Sequence, residues 1–66
     1  MITVSKLDTP RYEGDWHDAP LRWSVEGPGA ELQLFSTKKW ADLYARIRRR
    51  SSNAAEAGNE FYRKAV

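Results

Sequence analysis

Residues 32–50, LQLFSTKKWADLYARIRRR, contain a change of hydrophobic period from which the architecture follows. Leu32 and Leu34 alternate with polar neighbours, and this period of two predicts a strand. Beyond the lysine pair the apolar residues recur every three or four positions, which predicts a helix. Ser36 or Thr37, at the change of period, can cap that helix by accepting a backbone N–H bond. We therefore expect a strand that leads directly into a helix.

The predicted helix, residues 38–50, has two opposite faces. At about 100° per residue its apolar side chains form one stripe, which should pack on a sheet. Six of the chain's eleven Lys and Arg residues lie in this segment, against one acid, Asp42. The basic side chains form a candidate partner-binding surface, here called the basic face: Lys38, Lys39, Arg46, Arg49 and Arg50, with Arg48 on its flank. Their spacing along about 18 Å of helix suits neighbouring phosphates, and a solvated helix surface explains the same pattern.

Two further strands precede this segment. Residues 2–5 alternate apolar and polar side chains, which predicts a first strand that ends by Leu7. Leu21, Trp23 and Val25 alternate in the same way, and a Gly-Pro-Gly turn at residues 27–29 connects this second strand to the third. We expect a three-stranded antiparallel sheet whose outer face carries Arg22, Ser24, Glu26, Glu31, Gln33 and Phe35.

The helical period continues beyond residue 50, so residues 38–65 form either one long helix or two. Ser51, Ser52 and Asn53 are modest helix formers, and Asn53 with Glu56 resembles a capping box, which favours a break and a second helix. In the alternative, the projecting part of one helix would pair two protomers. The expected fold is a single α+β domain, with the sheet in residues 1–36 and one or two helices in residues 37–65.

A long acidic segment separates the first two strands. Residues 8–20, DTPRYEGDWHDAP, show no sustained period and predict a loop, here called the acidic loop. Loops of about this length are usually functional or mobile. Its aromatic residues either anchor a protein partner or cover the sheet as a lid. The candidate partner-binding residues in the loop are Tyr12, Asp15 and Trp16.

Composition argues against several kinds of chemistry. A 66-residue chain has a thin core and little room for an enclosed active site. The absence of cysteine excludes disulfides and thiolate metal clusters. His17 is the single histidine, so a metal site or a histidine-based triad has few partners. No stretch of about 18 apolar residues occurs. We expect a non-enzymatic cytoplasmic protein that needs no cofactor or metal.

The order of elements resembles the small DNA-binding domains at the start of phage integrases, in which a three-stranded sheet reads the major groove and a helix backs it. The junction LQLFSTKKWA, residues 32–41, carries this resemblance. It implies a small DNA-binding accessory factor of the integrase-arm or excisionase type. Glu26 and Glu31 on the expected outer face would oppose phosphate, so DNA contact through the basic face is the form of this alternative that we retain.

In size, composition and lack of cysteine the chain also resembles small accessory proteins of bacteriophages, including anti-CRISPR proteins. Those proteins are non-enzymatic and block a nucleic-acid machine by occupying its surfaces. The resemblance implies a phage or mobile-element inhibitor that docks on a nucleic-acid-processing protein complex. Its partner would be that protein complex, and the chain itself would be a monomer or a homodimer.

Overall fold

The computed structural model describes residues 1–12 and 20–65, in which three strands precede two helices. The elements are β1 (Thr3–Arg11), β2 (Leu21–Glu26), β3 (Leu32–Phe35), α1 (Lys38–Arg50) and α2 (Ala54–Ala65). The strands form one antiparallel sheet in the order β1-β2-β3, so β1 and β3 are its edges. Neither of the two helices is long and apolar enough to cross a bilayer. The α+β architecture predicted from the sequence is confirmed.

β1 is longer than the sequence predicts. The expected end at Leu7 is wrong, because the strand continues through Pro10 to Arg11. Its pairing with β2 shifts register between Lys6 and Arg11. Edge strands and bulges both tolerate a proline, since the missing N–H need not leave a gap in the hydrogen-bond ladder. The acidic loop therefore begins later than expected, and residues 13–19 of it lie outside the described part of the chain.

The turn between β2 and β3 sets the register of this hairpin. The Gly27 N–H donates to the Glu31 carbonyl over 2.9 Å. Gly29 and Ala30 adopt left-handed backbone conformations, with φ of 68° and 65°. Glycine enters this region freely, whereas a residue with a Cβ pays roughly 1–2 kcal/mol. The turn thus stores some strain at Ala30 while holding the two strands in one alignment.

That alignment reverses the expected faces of β3. Trp23 pairs with Phe35, and cross-strand partners share a face. Phe35 therefore points toward the helices, and its ring centre lies 5.4 Å from that of Tyr44 in α1. Leu32 and Leu34 occupy the opposite face. The predicted outer positions of Glu31, Gln33 and Phe35 are wrong, because a one-residue change of register exchanges the two faces of a strand.

A small core lies between the sheet and α1. The buried apolar residues are Val25, Ala41, Tyr44, Ala45, Ile47 and Ala57. Partly buried neighbours complete it: Ile2, Val4, Trp23, Phe35, Leu43 and Phe61. α1 packs chiefly on β2 and also approaches β1 and β3. The helix begins as predicted, since the Thr37 hydroxyl accepts the Trp40 N–H at 3.3 Å. Its apolar stripe is the surface that covers the sheet.

Two helices follow the sheet, as the capping pattern predicts. α1 ends at Arg50, because the next residue, Ser51, has an extended backbone. The Asn53 side chain accepts the Glu56 N–H at 3.0 Å, and the Glu56 carboxylate accepts the Ser52 N–H at 3.1 Å. These reciprocal bonds act as a capping box that reaches one residue further back than the usual form. They start α2 in a new direction.

Candidate binding surfaces

The helical period of α1 places most of the basic face in solvent. The exposed members are Lys38, Lys39, Arg46, Arg49 and Arg50. They lie opposite the stripe that packs on the sheet, as the sequence predicts. Their role in binding a partner stays a prediction, and it depends on how strongly each charge is already engaged within the chain.

Two of these cations form ion pairs on the protein surface. Lys38 Nζ lies 2.9 Å from Asp42 Oδ2, one helical turn along α1. Arg50 Nη2 lies 3.1 Å from Glu60 Oε2 in α2. Both pairs are largely exposed, and such pairs contribute only about 0–1 kcal/mol. They reduce the positive potential of the basic face without abolishing it.

The remaining members of the basic face differ in their contacts. Arg49 Nη2 donates to the Ile2 carbonyl at 3.2 Å, which links α1 to the residue before β1. Lys39 Nζ lies 5.7 Å from the centre of the Trp40 ring, within the range of a cation–π contact. Arg46 makes no hydrogen bond or ion pair with residues 1–12 or 20–65, so it is the member with the least internal engagement.

Arg48 leaves the basic face and contacts the sheet side of the molecule. Its Nε lies 2.7 Å from Glu31 Oε2, and its Nη2 donates to Glu31 Oε1 at 2.9 Å. This bidentate bond lowers the pKa of the Glu31 carboxyl below its ordinary 4.5 and raises the pKa of Arg48. The Glu31 side chain is only 17% exposed and the Arg48 side chain only 11%. Arg48 therefore links α1 to the start of β3, and Glu31 is withdrawn from the outer sheet face.

The acidic loop is described only at its beginning. Asp8 lies within β1 and is exposed, and Tyr12, just after the strand, is 75% exposed. The predicted partner-binding residues Asp15 and Trp16, and His17 between the loop acids, lie outside the described residues. Tyr12 is thus an accessible aromatic side chain at the edge of the sheet.

A groove between β3 and α2 is a concave surface that the sequence does not directly indicate. Its volume is about 280 Å³, and its lining residues are Gln33, Phe35, Tyr44, Ala54, Gly58, Phe61 and Tyr62. The Phe61 ring centre lies 5.4 Å from that of Phe35 and 5.7 Å from that of Tyr44, both close to edge-on. These rings hold α2 beside the sheet. Tyr62, which also lines the groove, is 73% exposed.

The Tyr44 hydroxyl is a buried polar group without a hydrogen-bond partner among residues 1–12 and 20–65. The residue is 3% exposed, and its oxygen forms no hydrogen bond within the part of the chain that the structure describes. Burial, together with the nearby Glu31 carboxylate, raises the pKa of Tyr44 above its ordinary 10.0. The hydroxyl is therefore protonated at neutral pH and retains an unused donor. Leaving such a group unsatisfied costs about 1–3 kcal/mol.

The only signal for this groove in the sequence was the four-residue spacing of Ala54, Gly58 and Tyr62 on the second helix. That spacing places them on one face of α2 but does not say what lies opposite.

Among residues 1–12 and 20–65 there is no cluster of three His, Asp or Glu side chains placed to hold a metal ion. Comparison with protein-family models, with curated proteins and with solved structures finds no match to this chain.

Proposed function

We propose that this chain is a non-enzymatic binding protein that docks on another protein, and that it inhibits a nucleic-acid-processing complex on behalf of a phage or mobile element. The observation that carries the proposal is the exposure of large apolar side chains on the two elements that bound the groove. Tyr62 in α2 lines the groove and is 73% exposed, and Leu32, on the opposite face of β3, is 46% exposed. Exposed aromatic side chains beside a preformed hollow are typical of anchors in protein interfaces.

The charge pattern supports a nucleic-acid-processing partner. Proteins that bind nucleic acid present basic surfaces to the phosphates. Asp8, within β1, and Tyr12, just after it, are both exposed, and the rest of the acidic loop follows them in the chain. An acidic segment is suited to occupy a basic channel. The exposed arginines of the basic face offer a second contact, to an acidic surface of the same complex. Both contacts are electrostatic and should weaken with salt.

Photocross-linking tests the protein-binding part of this proposal. A benzophenone amino acid in place of Tyr62 should form a discrete covalent adduct with a protein in bacterial host cells. The adduct should survive nuclease and be destroyed by protease. The matched control carries the same group in place of Lys64, an exposed position on the side of α2 away from Tyr62. A second probe replaces Tyr12, which is 75% exposed, and the proposal fails if neither position 62 nor position 12 gives a protein adduct. Once the partner is purified, one equivalent of the chain should suppress its activity on nucleic acid, and undiminished activity would refute inhibition.

The second candidate function is direct DNA binding through the basic face. The observation that favours it is the exposure of five cations along one side of α1. Each phosphate contact contributes about 0.9 to the slope of log affinity against log salt. Random duplex DNA, titrated at several salt concentrations, should show little affinity near physiological salt if protein docking is correct. A steep salt slope that decreases in a Lys39→Glu, Arg46→Glu variant would instead establish DNA binding.

A further inference from the structure

We propose that the free edge of β3 and the facing side of α2 form a site for one extended peptide segment, which adds to the sheet as a fourth strand. The partner segment is a β-strand of another protein with uncharged, apolar side chains at alternate positions. This inference deepens the proposed function, and it rests on that function only in requiring that the partner be a protein. Four features of the structure support it.

The first feature is the direction of the backbone groups in β3. The bond from the Gly27 N–H to the Glu31 carbonyl makes these two residues a hydrogen-bonded pair. Hydrogen-bonded and non-hydrogen-bonded pairs alternate along an antiparallel ladder. Gln33 and Phe35, two and four positions after Glu31, therefore also bond to β2. Leu32 and Leu34 therefore direct their N–H and C=O groups away from β2, toward the free edge. An edge of this kind is a template for an additional strand.

The second feature is the lateral position of α2. α1 lies chiefly over β2, and α2 packs beside α1 on the β3 side. Packed helices are about 8–10 Å apart, and neighbouring strands are about 4.7–4.9 Å apart. With these average spacings α2 would be displaced from β2 by about two strand spacings, above the position that a fourth strand would take. No Cα of α2 comes within 8 Å of a strand Cα, so side chains alone bridge the gap.

The third feature is the lining of that gap. Ala54 and Gly58 present small side chains to the groove, and a Cβ built on Gly58 would meet no atom within 4 Å. Tyr44 lines the same groove. An arriving strand would place alternate side chains beneath α2. Uncharged side chains suit these positions, because Gln33, Phe35 and the other residues that line the groove carry no charge.

The fourth feature argues against a second copy of this chain as the occupant. Two-fold pairing of β3 with β3 would put each α2 above the partner copy's β3. The two α2 helices would then be separated by one strand spacing, about 4.7–4.9 Å, whereas packed helices need about 8–10 Å. A single extended segment brings no helix and meets no such obstacle. The geometry therefore favours a peptide strand from a different protein.

A peptide selection tests this inference directly. Displayed nine-residue peptides of random sequence are selected on the immobilised full-length chain, and the enriched peptides are synthesised as probes. We expect alternating apolar residues in these peptides and, in spectra of the ¹⁵N-labelled chain, amide shifts concentrated in β3 and α2. The inference is overturned if no selected peptide binds with Kd below about 1 mM, or if the shifts map to the basic face instead.

Backbone esters then separate strand addition from side-chain contact. Total synthesis can replace the outward N–H of Leu34 with an ester oxygen while keeping the leucine side chain. This variant should fold with a slightly lower melting temperature, because the ester also weakens the Gln33 carbonyl as an acceptor toward β2. It should bind the probe peptide about 2- to 13-fold more weakly, the loss of one hydrogen bond. The matched control is the ester at Gln33, whose N–H bonds to β2 and whose loss should lower the melting temperature.

The ester at Leu32 repeats the measurement at the second outward N–H. Unchanged peptide affinity in the folded Leu32 and Leu34 esters would refute strand addition. If these esters also retain the partner adduct at position 62, protein docking stands and only its proposed mode is lost. Absence of a protein adduct from both position 62 and position 12, in chains with an unaltered backbone, would instead defeat the proposed function itself.

Discussion

Tyr44→Phe should stabilise this protein, although it removes a polar atom from a residue at the centre of the core. The Tyr44 hydroxyl is buried and has no hydrogen-bond partner within residues 1–12 and 20–65. It therefore loses its bond to water on folding and gains nothing in return, a penalty of about 1–3 kcal/mol. Phenylalanine keeps the ring contacts with Phe35 and Phe61. We expect the free energy of unfolding to rise by about 1 kcal/mol or more.

Thermal unfolding followed by circular dichroism measures this effect. In a domain of this size, 1 kcal/mol corresponds to a shift of roughly 4–8 °C in melting temperature. Tyr62→Phe is the matched control, because it removes a hydroxyl from a tyrosine that is 73% exposed and should change stability by no more than about 0.5 kcal/mol. A lower melting temperature for Tyr44→Phe than for wild type would refute the assignment of an unsatisfied hydroxyl.

The pH dependence provides an independent check on the same residue. Burial raises the pKa of Tyr44 above 10.0 in the folded state. Above pH 10 the unfolded chain releases this proton while the folded chain retains it, so the folded state binds more protons and wild-type stability falls as pH rises. Tyr44→Phe lacks this loss. Its advantage over wild type should widen above pH 10, and a constant difference would contradict the raised pKa.

Three further predictions concern the ion pair, the second helix and the hairpin turn. Glu31→Gln should lower the melting temperature at pH 7, because it removes the ion pair with Arg48. The pKa of Glu31 is lowered in the folded state, so this pair stabilises the fold only while Glu31 is ionised, and the difference from wild type should shrink as pH falls below 4.5. A pH-independent difference would refute this. Phe61→Ala should lower the free energy of unfolding by about 3 kcal/mol and reduce the helical circular dichroism signal, since a 12-residue helix is marginal without its packing. An unchanged signal would show that other contacts hold α2. In denaturant titrations Ala30→Gly should raise the free energy of unfolding by up to about 1 kcal/mol, and Gly29→Ala should lower it by about 1–2 kcal/mol. Equal stabilities of the two variants would argue against the left-handed turn.

The types and order of the elements could be predicted from the sequence because they depend on neighbouring residues. The change of period after β3 predicts a helix, and the Thr37 cap forms between residues three apart. The break between the helices follows from Asn53 and Glu56, which are also three apart. The exposure of the basic face follows from the helical repeat alone. Each of these signals is complete within about one turn of chain, so the rest of the molecule does not alter it.

The face of β3 that is buried, the direction of Arg48 and the groove depend on residues distant in sequence. β3 carries Leu32 and Leu34 on one face and Phe35 with Gln33 on the other, so each face offers a large apolar side chain and the pairing with β2 selects the buried one. Arg48 and Glu31 are 17 positions apart and meet because the helix crosses the sheet. The groove exists because α2 packs beside α1 and approaches β3 only through side chains such as Phe61. Local periodicity records which side chains share a face, whereas the partner of that face is set by packing of the whole chain.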